Sequence, residues 1–184
     1  MNWTEITAHL AETWPVWLVT ALTLYATWID ATELRVPNKL TYPMILAGMM
    51  YNATYGEGWA FGVTGMLVGL ATLMPLYAVG GMGSGDVKLM AGIGAWLGVQ
   101  VILAAFVVTA VVGGVIAIGM AFWGGEFKKH LAQSFAILCE WKSGKSLYEI
   151  SDAAAERKPR MKLLPYGIPI CIGSLGYFAY AGMY

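Results

Sequence analysis

The chain has 184 residues, of which 58% are hydrophobic and only 12% are charged. Because a soluble domain carries about 25% charged residues, this composition argues against a water-soluble protein and indicates a lipid bilayer as the surroundings. The net charge is zero, so no basic surface for nucleic acid is expected. The first 13 residues hold two glutamates and no lysine or arginine, so no cleavable signal peptide is expected.

Five charge-free apolar stretches follow one another along the chain. They cover residues 13–29, 40–56, 58–85, 89–125 and 163–184. A membrane-spanning helix needs about 20 mostly apolar residues, so the fourth stretch is too long for one span. A break at Gly98 to Gln100 divides it into a short helix over 87–98 and a full one over 100–123. The sequence therefore predicts an all-α, polytopic membrane protein with about six transmembrane helices, in a single membrane-embedded domain over 1–184.

The basic residues are distributed unequally between the predicted connecting segments. All 11 lysines and arginines lie in 30–39, 80–88 and 124–162. None lies in the connecting segments predicted on the opposite side of the membrane. Cytoplasmic loops carry the lysine and arginine excess. These three segments are therefore predicted to face the cytoplasm, and both termini are predicted to lie outside.

The longest cytoplasmic segment, at about 124–162, is predicted to contain an amphipathic helix. Phe127, Leu131, Phe135 and Leu138 recur at helical spacing, with basic residues between them. Such a pattern is typical of a helix that lies on the membrane surface. A solvated loop with a chance apolar stripe is the alternative.

Two of the three aspartates lie where burial of a charged carboxylate would be energetically unfavourable. Asp152 lies in a polar loop among basic residues, whereas Asp30 ends the first span and Asp86 precedes an apolar helix. Burial of an ionised carboxylate in a low-dielectric setting is unfavourable. Since both acids lie at the same predicted membrane boundary, they are candidates for a pair.

A pair of close carboxylates can hydrolyse a peptide without a metal, because the two groups share one proton. The ionised acid takes a proton from water, and the protonated acid polarises the carbonyl group. In the alternative reading, Arg35 neutralises Asp30 and Lys88 neutralises Asp86. Glu33, about one turn beyond Asp30, is a lower-ranked candidate.

Two further function classes stay open at this point. Intramembrane carboxylates also mark ion pathways, so an ion-coupled small transporter is the alternative function. A structural subunit of a secretion complex is the third. His9 and His130 fall in different predicted compartments, so they are not expected to form a joint metal site. Cys139 and Cys171 form no C-x-x-C pair, so neither a zinc site nor a disulfide framework is expected. No cofactor is expected.

The glycines before Asp86 have two possible explanations. Gly83 and Gly85 can adopt positive φ and allow another backbone to come close, as an extended peptide substrate would require. Ordinary termination of a membrane helix is the alternative.

Three segments of the chain resemble the type IV prepilin peptidases, which are membrane aspartyl proteases with a GxGD motif. They are GMGSGDVKLMAGIGAWLG (81–98), WIDATELRVPNKLTYPMILAGMM (28–50) and LLPYGIPICIG (163–173). They stand in the order in which the family has them and cover about a third of the chain.

This resemblance implies that Asp30 and Asp86 are the catalytic aspartates and that Gly83 and Gly85 shape the second site. Three more positions match the family without a defined role: Pro37, Asn38 and Lys88. The implied substrate is a prepilin or pseudopilin with a short basic leader, cleaved at the cytoplasmic face of the inner membrane. The oligomeric state stays open.

The chain departs from the larger family members in one respect. Those members begin with a cytoplasmic domain that bears paired cysteines, and they also methylate the new N-terminus. The small form without that domain is expected here, similar to peptidases of Flp/Tad-type pilus systems. Presenilin-like proteases carry Tyr-Asp and Pro-Ala-Leu steps, whereas this chain has Ile29 before the acid and Pro-Tyr-Gly later.

Overall fold

The computed structural model describes residues 3–78, 82–123 and 166–184. These residues form α1 (Trp3–Glu33), α2 (Asn38–Thr54), α3 (Trp59–Ala78), α4 (Ser84–Trp123) and α5 (Gly167–Tyr180). No strand occurs in these three ranges, and the predicted all-α class is confirmed. The predicted amphipathic segment at 124–162 lies outside the described residues.

Helix α4 is the centre of the bundle, because it contacts each of the other four helices. It is broken at Gly98, where φ is 80° and ψ is −178°. The predicted break is therefore confirmed. The ring of Phe61 lies where a Cβ on Gly98 would be, so both the backbone angle and the packing require glycine there.

Glycines allow α3 and the first half of α4 to pack backbone against backbone. Gly65 lies directly on Gly94, and a Cβ on Gly69 would be 2.9 Å from the Cα of Ala91. Small residues permit such close approach between membrane helices. We call Gly65, Gly69 and Gly94 the glycine interface.

The buried side chain of Asn52 joins α2 to α4 just before the break. Its Nδ2 donates to the carbonyl oxygens of Ala95 at 2.8 Å and Trp96 at 3.2 Å. The break at Gly98 removes the next-turn N–H groups that would otherwise bond these carbonyls. Since an unpaired carbonyl in an apolar interior is costly, Asn52 stabilises the broken helix.

The connection between α1 and α2 is a tight turn. The N–H of Leu34 donates to the carbonyl of Asp30 at 2.8 Å, and Leu34 adopts a left-handed φ of 53°. Pro37, in extended conformation, is the N-cap of α2. The chain thus reverses within a few residues of Asp30.

Two helical stretches are long and apolar enough to cross a membrane: Trp59–Ala78 and Ser84–Gly119. The second half of α4 also presents an apolar face, of which every member is at least 44% exposed. Its members are Leu103, Val107, Val111, Val115 and Ile118. A contiguous exposed apolar face of this kind suits contact with lipid. Six membrane helices stay a prediction.

Candidate active site

Asp30 lies in the last turn of α1 and is only 3% exposed. Its Oδ2 accepts a hydrogen bond of 2.9 Å from the N–H of Gly167, the first residue of α5. The first N–H groups of a helix have no partner within the helix and bind anionic groups well. The start of α5 therefore holds one oxygen of this carboxyl group.

A second contact fixes α1 against α5 one turn before Asp30. The hydroxyl of Thr27 donates to the carbonyl of Gly167 at 3.1 Å. A Cβ on Gly167 would lie 2.9 Å from Asp30 Oδ2, which is too close for an ordinary contact. Only glycine fits between the two helices without displacing the carboxyl group.

Asp86 lies in the first turn of α4 and is 4% exposed. Its Oδ2 accepts a hydrogen bond of 3.2 Å from the N–H of Gly83. Its Oδ1 is buried, and no residue that the structure describes bonds it. A buried carboxyl oxygen without a partner needs an explanation, and a reacting water or a shared proton would supply one.

The structure brings the two predicted acids together. Asp30 and Asp86 lie on different helices and are close enough for their charges to interact. In residues 3–78, 82–123 and 166–184, neither acid forms an ion pair with a lysine or arginine. The ammonium group of Lys88 instead donates to the Oδ1 of Asn38 at 2.7 Å, so it does not neutralise Asp86 as the alternative reading required.

The glycines before Asp86 behave differently from the sequence expectation. Neither Gly83 nor Gly85 has a positive φ. The backbone that approaches Gly85 belongs to the chain itself, because a Cβ there would lie 2.6 Å from the carbonyl oxygen of Val36. Gly85 thus makes room for the turn between α1 and α2, and Gly83 bonds Asp86 through its N–H.

The three matched positions without a defined role lie where the start of α2 meets the first turns of α4. The carbonyl of Pro37 accepts from the N–H of Leu40 at 3.0 Å, which starts α2. Asn38 and Lys88 are joined by the hydrogen bond described above. The Lys88 Nζ also lies 4.7 Å from the ring centre of Tyr42.

Sequence reasoning missed two residues of this site, Tyr166 and Gly167. Tyr166 lies close enough to Asp86 for an electrostatic interaction, with its hydroxyl beside Gly113. Their signal was the Pro-Tyr-Gly step at the start of the last apolar stretch. Among the described residues, no group of three or more His, Cys, Asp or Glu could hold a metal ion.

Residues 17–118, which include both aspartates, match the type IV leader peptidase family. The chain belongs to this family. It is 33% identical over 112 residues to a prepilin leader peptidase/N-methyltransferase of Aeromonas salmonicida (strain A449), covering 56% of this chain and 37% of the relative. The predicted family resemblance is therefore confirmed.

Two other relatives with the same name have a similar identity to this chain and are also matched over only part of their length. The Neisseria gonorrhoeae protein is 35% identical over 111 residues, covering 56% of this chain and 39% of the relative. The Pectobacterium carotovorum subsp. carotovorum protein is 31% identical over 132 residues, covering 67% of this chain and 46% of the relative. The chain thus matches less than half the length of each relative. No solved structure matches it.

Proposed function

We propose that this chain is a membrane aspartyl endopeptidase that removes the short basic leader from prepilins or pseudopilins. Asp30 and Asp86 are its catalytic residues. One observation carries the proposal: two buried acids from different helices come together in a chain of the leader peptidase family.

The arrangement of the two carboxyl groups suits hydrolysis by a shared proton. Each acid accepts one backbone N–H through its Oδ2, which leaves its other oxygen for water or for the proton. The ionised acid removes a proton from water, and the water oxygen bonds to the carbonyl carbon. The protonated acid donates to the carbonyl oxygen. A proton then passes to the amide nitrogen, and the C–N bond breaks.

The distribution of charge supports a reaction at the cytoplasmic face of the inner membrane. All 11 lysines and arginines lie in the segments that are predicted to be on the same side as the two acids, as the positive-inside rule requires of cytoplasmic loops. A leader followed by an apolar helix would then place its cleaved bond at the depth of Asp30 and Asp86. In this arrangement the protein is multi-pass, and both termini lie outside.

The ion-coupled transporter is not favoured. The chain belongs to a peptidase family, and the two acids lie at the ends of their helices. A carrier places its acids near the bilayer midplane instead.

The test is cleavage of a purified prepilin by the protein in detergent, with the released leader measured by mass spectrometry. Asp30→Asn and Asp86→Asn should each lower the rate at least about 100-fold, because each removes one half of the proton exchange. Glu33→Gln is the matched control, since Glu33 is exposed and lies about one turn from Asp30. Its rate should stay within about twofold of wild type. Near-normal cleavage by either aspartate variant would overturn the assignment.

A further inference from the structure

Lys88 makes two contacts with the start of α2 that the reaction does not use. Its Nζ donates to Asn38 Oδ1 at 2.7 Å and lies 4.7 Å from the ring centre of Tyr42. Asn38 and Tyr42 are one helical turn apart, so they present one face of α2 to the lysine. We call these three residues the Lys88 contact.

The Lys88 contact lies on the other side of α4 from Asp86. Two residues along an α-helix correspond to a rotation of about 200°, so the lysine points away from the acid. Gly85, the residue before Asp86, packs against Val36, which is buried. Gly85 and Lys88, which lie before and after Asp86 in the sequence, therefore both contact the 36–42 segment.

That segment is joined directly to the other acid. Val36 follows Asp30 by six residues, through a turn fixed by the Leu34 N–H bond to the Asp30 carbonyl. A contact between α4 and the 36–42 segment therefore fixes Asp86 relative to Asp30. Contacts between exposed groups add little to fold stability, but a displacement of about 1 Å at a reacting group can cost about 100-fold in rate.

We propose that Lys88 is a positioning residue, which acts through Asn38 and Tyr42 to hold Asp86 at the correct distance from Asp30. This inference rests on the proposed peptidase function. Lys88 does not neutralise Asp86 in this arrangement, because its ammonium group bonds Asn38.

The first experiment measures steady-state cleavage of a prepilin by the full chain in detergent. Lys88→Met should lower kcat about tenfold, with KM within about twofold of wild type, because the variant keeps the apolar stem and loses the donor. Asn38→Leu should have the same effect. Lys88→Arg should restore most of kcat, since a guanidinium can donate to Asn38 and stack on Tyr42.

Two controls separate positioning from other effects. Lys39→Met removes the same charge from an exposed neighbouring lysine that has no partner among the described residues, and its kcat should match wild type. The double variant Lys88→Met/Asn38→Leu should be no slower than either single variant, because both remove one shared contact. The proposal would be overturned if the loss of kcat in the double variant equalled the product of the two single losses. A raised KM with normal kcat in Lys88→Met would also overturn it.

The second experiment needs no substrate, so it separates this proposal from the proposed function. Spin labels are attached to cysteines at the exposed positions 33 and 84, with Cys139 and Cys171 replaced by alanine. The distance distribution between the labels should broaden or shift in Lys88→Met and stay unchanged in Lys39→Met. An unchanged distribution in Lys88→Met overturns the positioning role, whether or not a prepilin is cleaved. Normal cleavage by Asp30→Asn overturns only the proposed function.

Discussion

At the glycine interface, α3 and α4 lie backbone against backbone, with Gly65 directly on Gly94. At the aspartate end of the bundle, a few hydrogen bonds join the helices: Gly167 to Asp30, Thr27 to Gly167, and Lys88 to Asn38. Close backbone packing leaves no room for adjustment, whereas single hydrogen bonds tolerate small displacements. The difference indicates that the first region determines whether the chain folds, and the second determines how well the acids are placed.

The largest effect is expected at the glycine interface. Gly65→Leu should destabilise the protein by about 3 kcal/mol or more, because the new side chain overlaps the backbone of α4, which cannot move aside. The thermal midpoint in detergent and the yield of folded protein measure this. Gly114→Leu is the control, since a Cβ there meets nothing within 4 Å. Equal loss of stability in both variants would show that the close packing at the glycine interface is not what stabilises the fold.

A smaller effect, and one on rate alone, is expected at the aspartate end. Gly167→Ala should lower kcat about tenfold, equivalent to about 1.4 kcal/mol in the barrier, because its methyl group would displace the Asp30 carboxyl group. The thermal midpoint should hardly change. Gly176→Ala in the same helix has open space around it and should cleave normally. If Gly167→Ala unfolds the protein, the two regions do not differ in the way described.

The smallest effect is expected at the turn after Asp30. Leu34 has a φ of 53°, and a left-handed conformation costs about 1–2 kcal/mol for a residue other than glycine. Leu34→Gly removes that strain but adds about 0.5–1 kcal/mol of backbone entropy cost, so a net gain of about 0.5–1 kcal/mol is expected. A small rise in the thermal midpoint, with kcat unchanged, would agree. A clear fall would show that the exposed leucine side chain stabilises the turn.

The fold class and the break in α4 could be predicted because they depend on lengths that the chain displays directly. The apolar stretch over 89–125 has 37 residues, too many for one span and with glycine near its natural division. The pairing of Asp30 with Asp86 could be predicted from the one-sided distribution of basic residues. Neither inference required knowledge of how the helices pack.

The partners of the two acids could not be predicted in the same way. The bond from Gly167 to Asp30 joins residues 137 apart, and its donor is a backbone N–H, so the Pro-Tyr-Gly step marks the position without showing which residue it bonds. Lys88 stands two residues from an acid, yet it bonds the amide of Asn38. The role of Gly85 could not be predicted either, because a glycine permits both a positive φ and the close approach of another segment. Only the packing of Val36 against Gly85 shows which of the two roles applies.

The break at Gly98 has a geometric consequence for the two acids. The first half of α4 carries Asp86, while the second half packs on α5, whose first residue bonds Asp30. Asp86 lies 12 residues before Gly98, or about 18 Å along the helix, so a rotation of about 5° at the break would move it by about 1.6 Å. The spacing of the two acids therefore depends on the backbone angle at Gly98, a residue that touches neither of them.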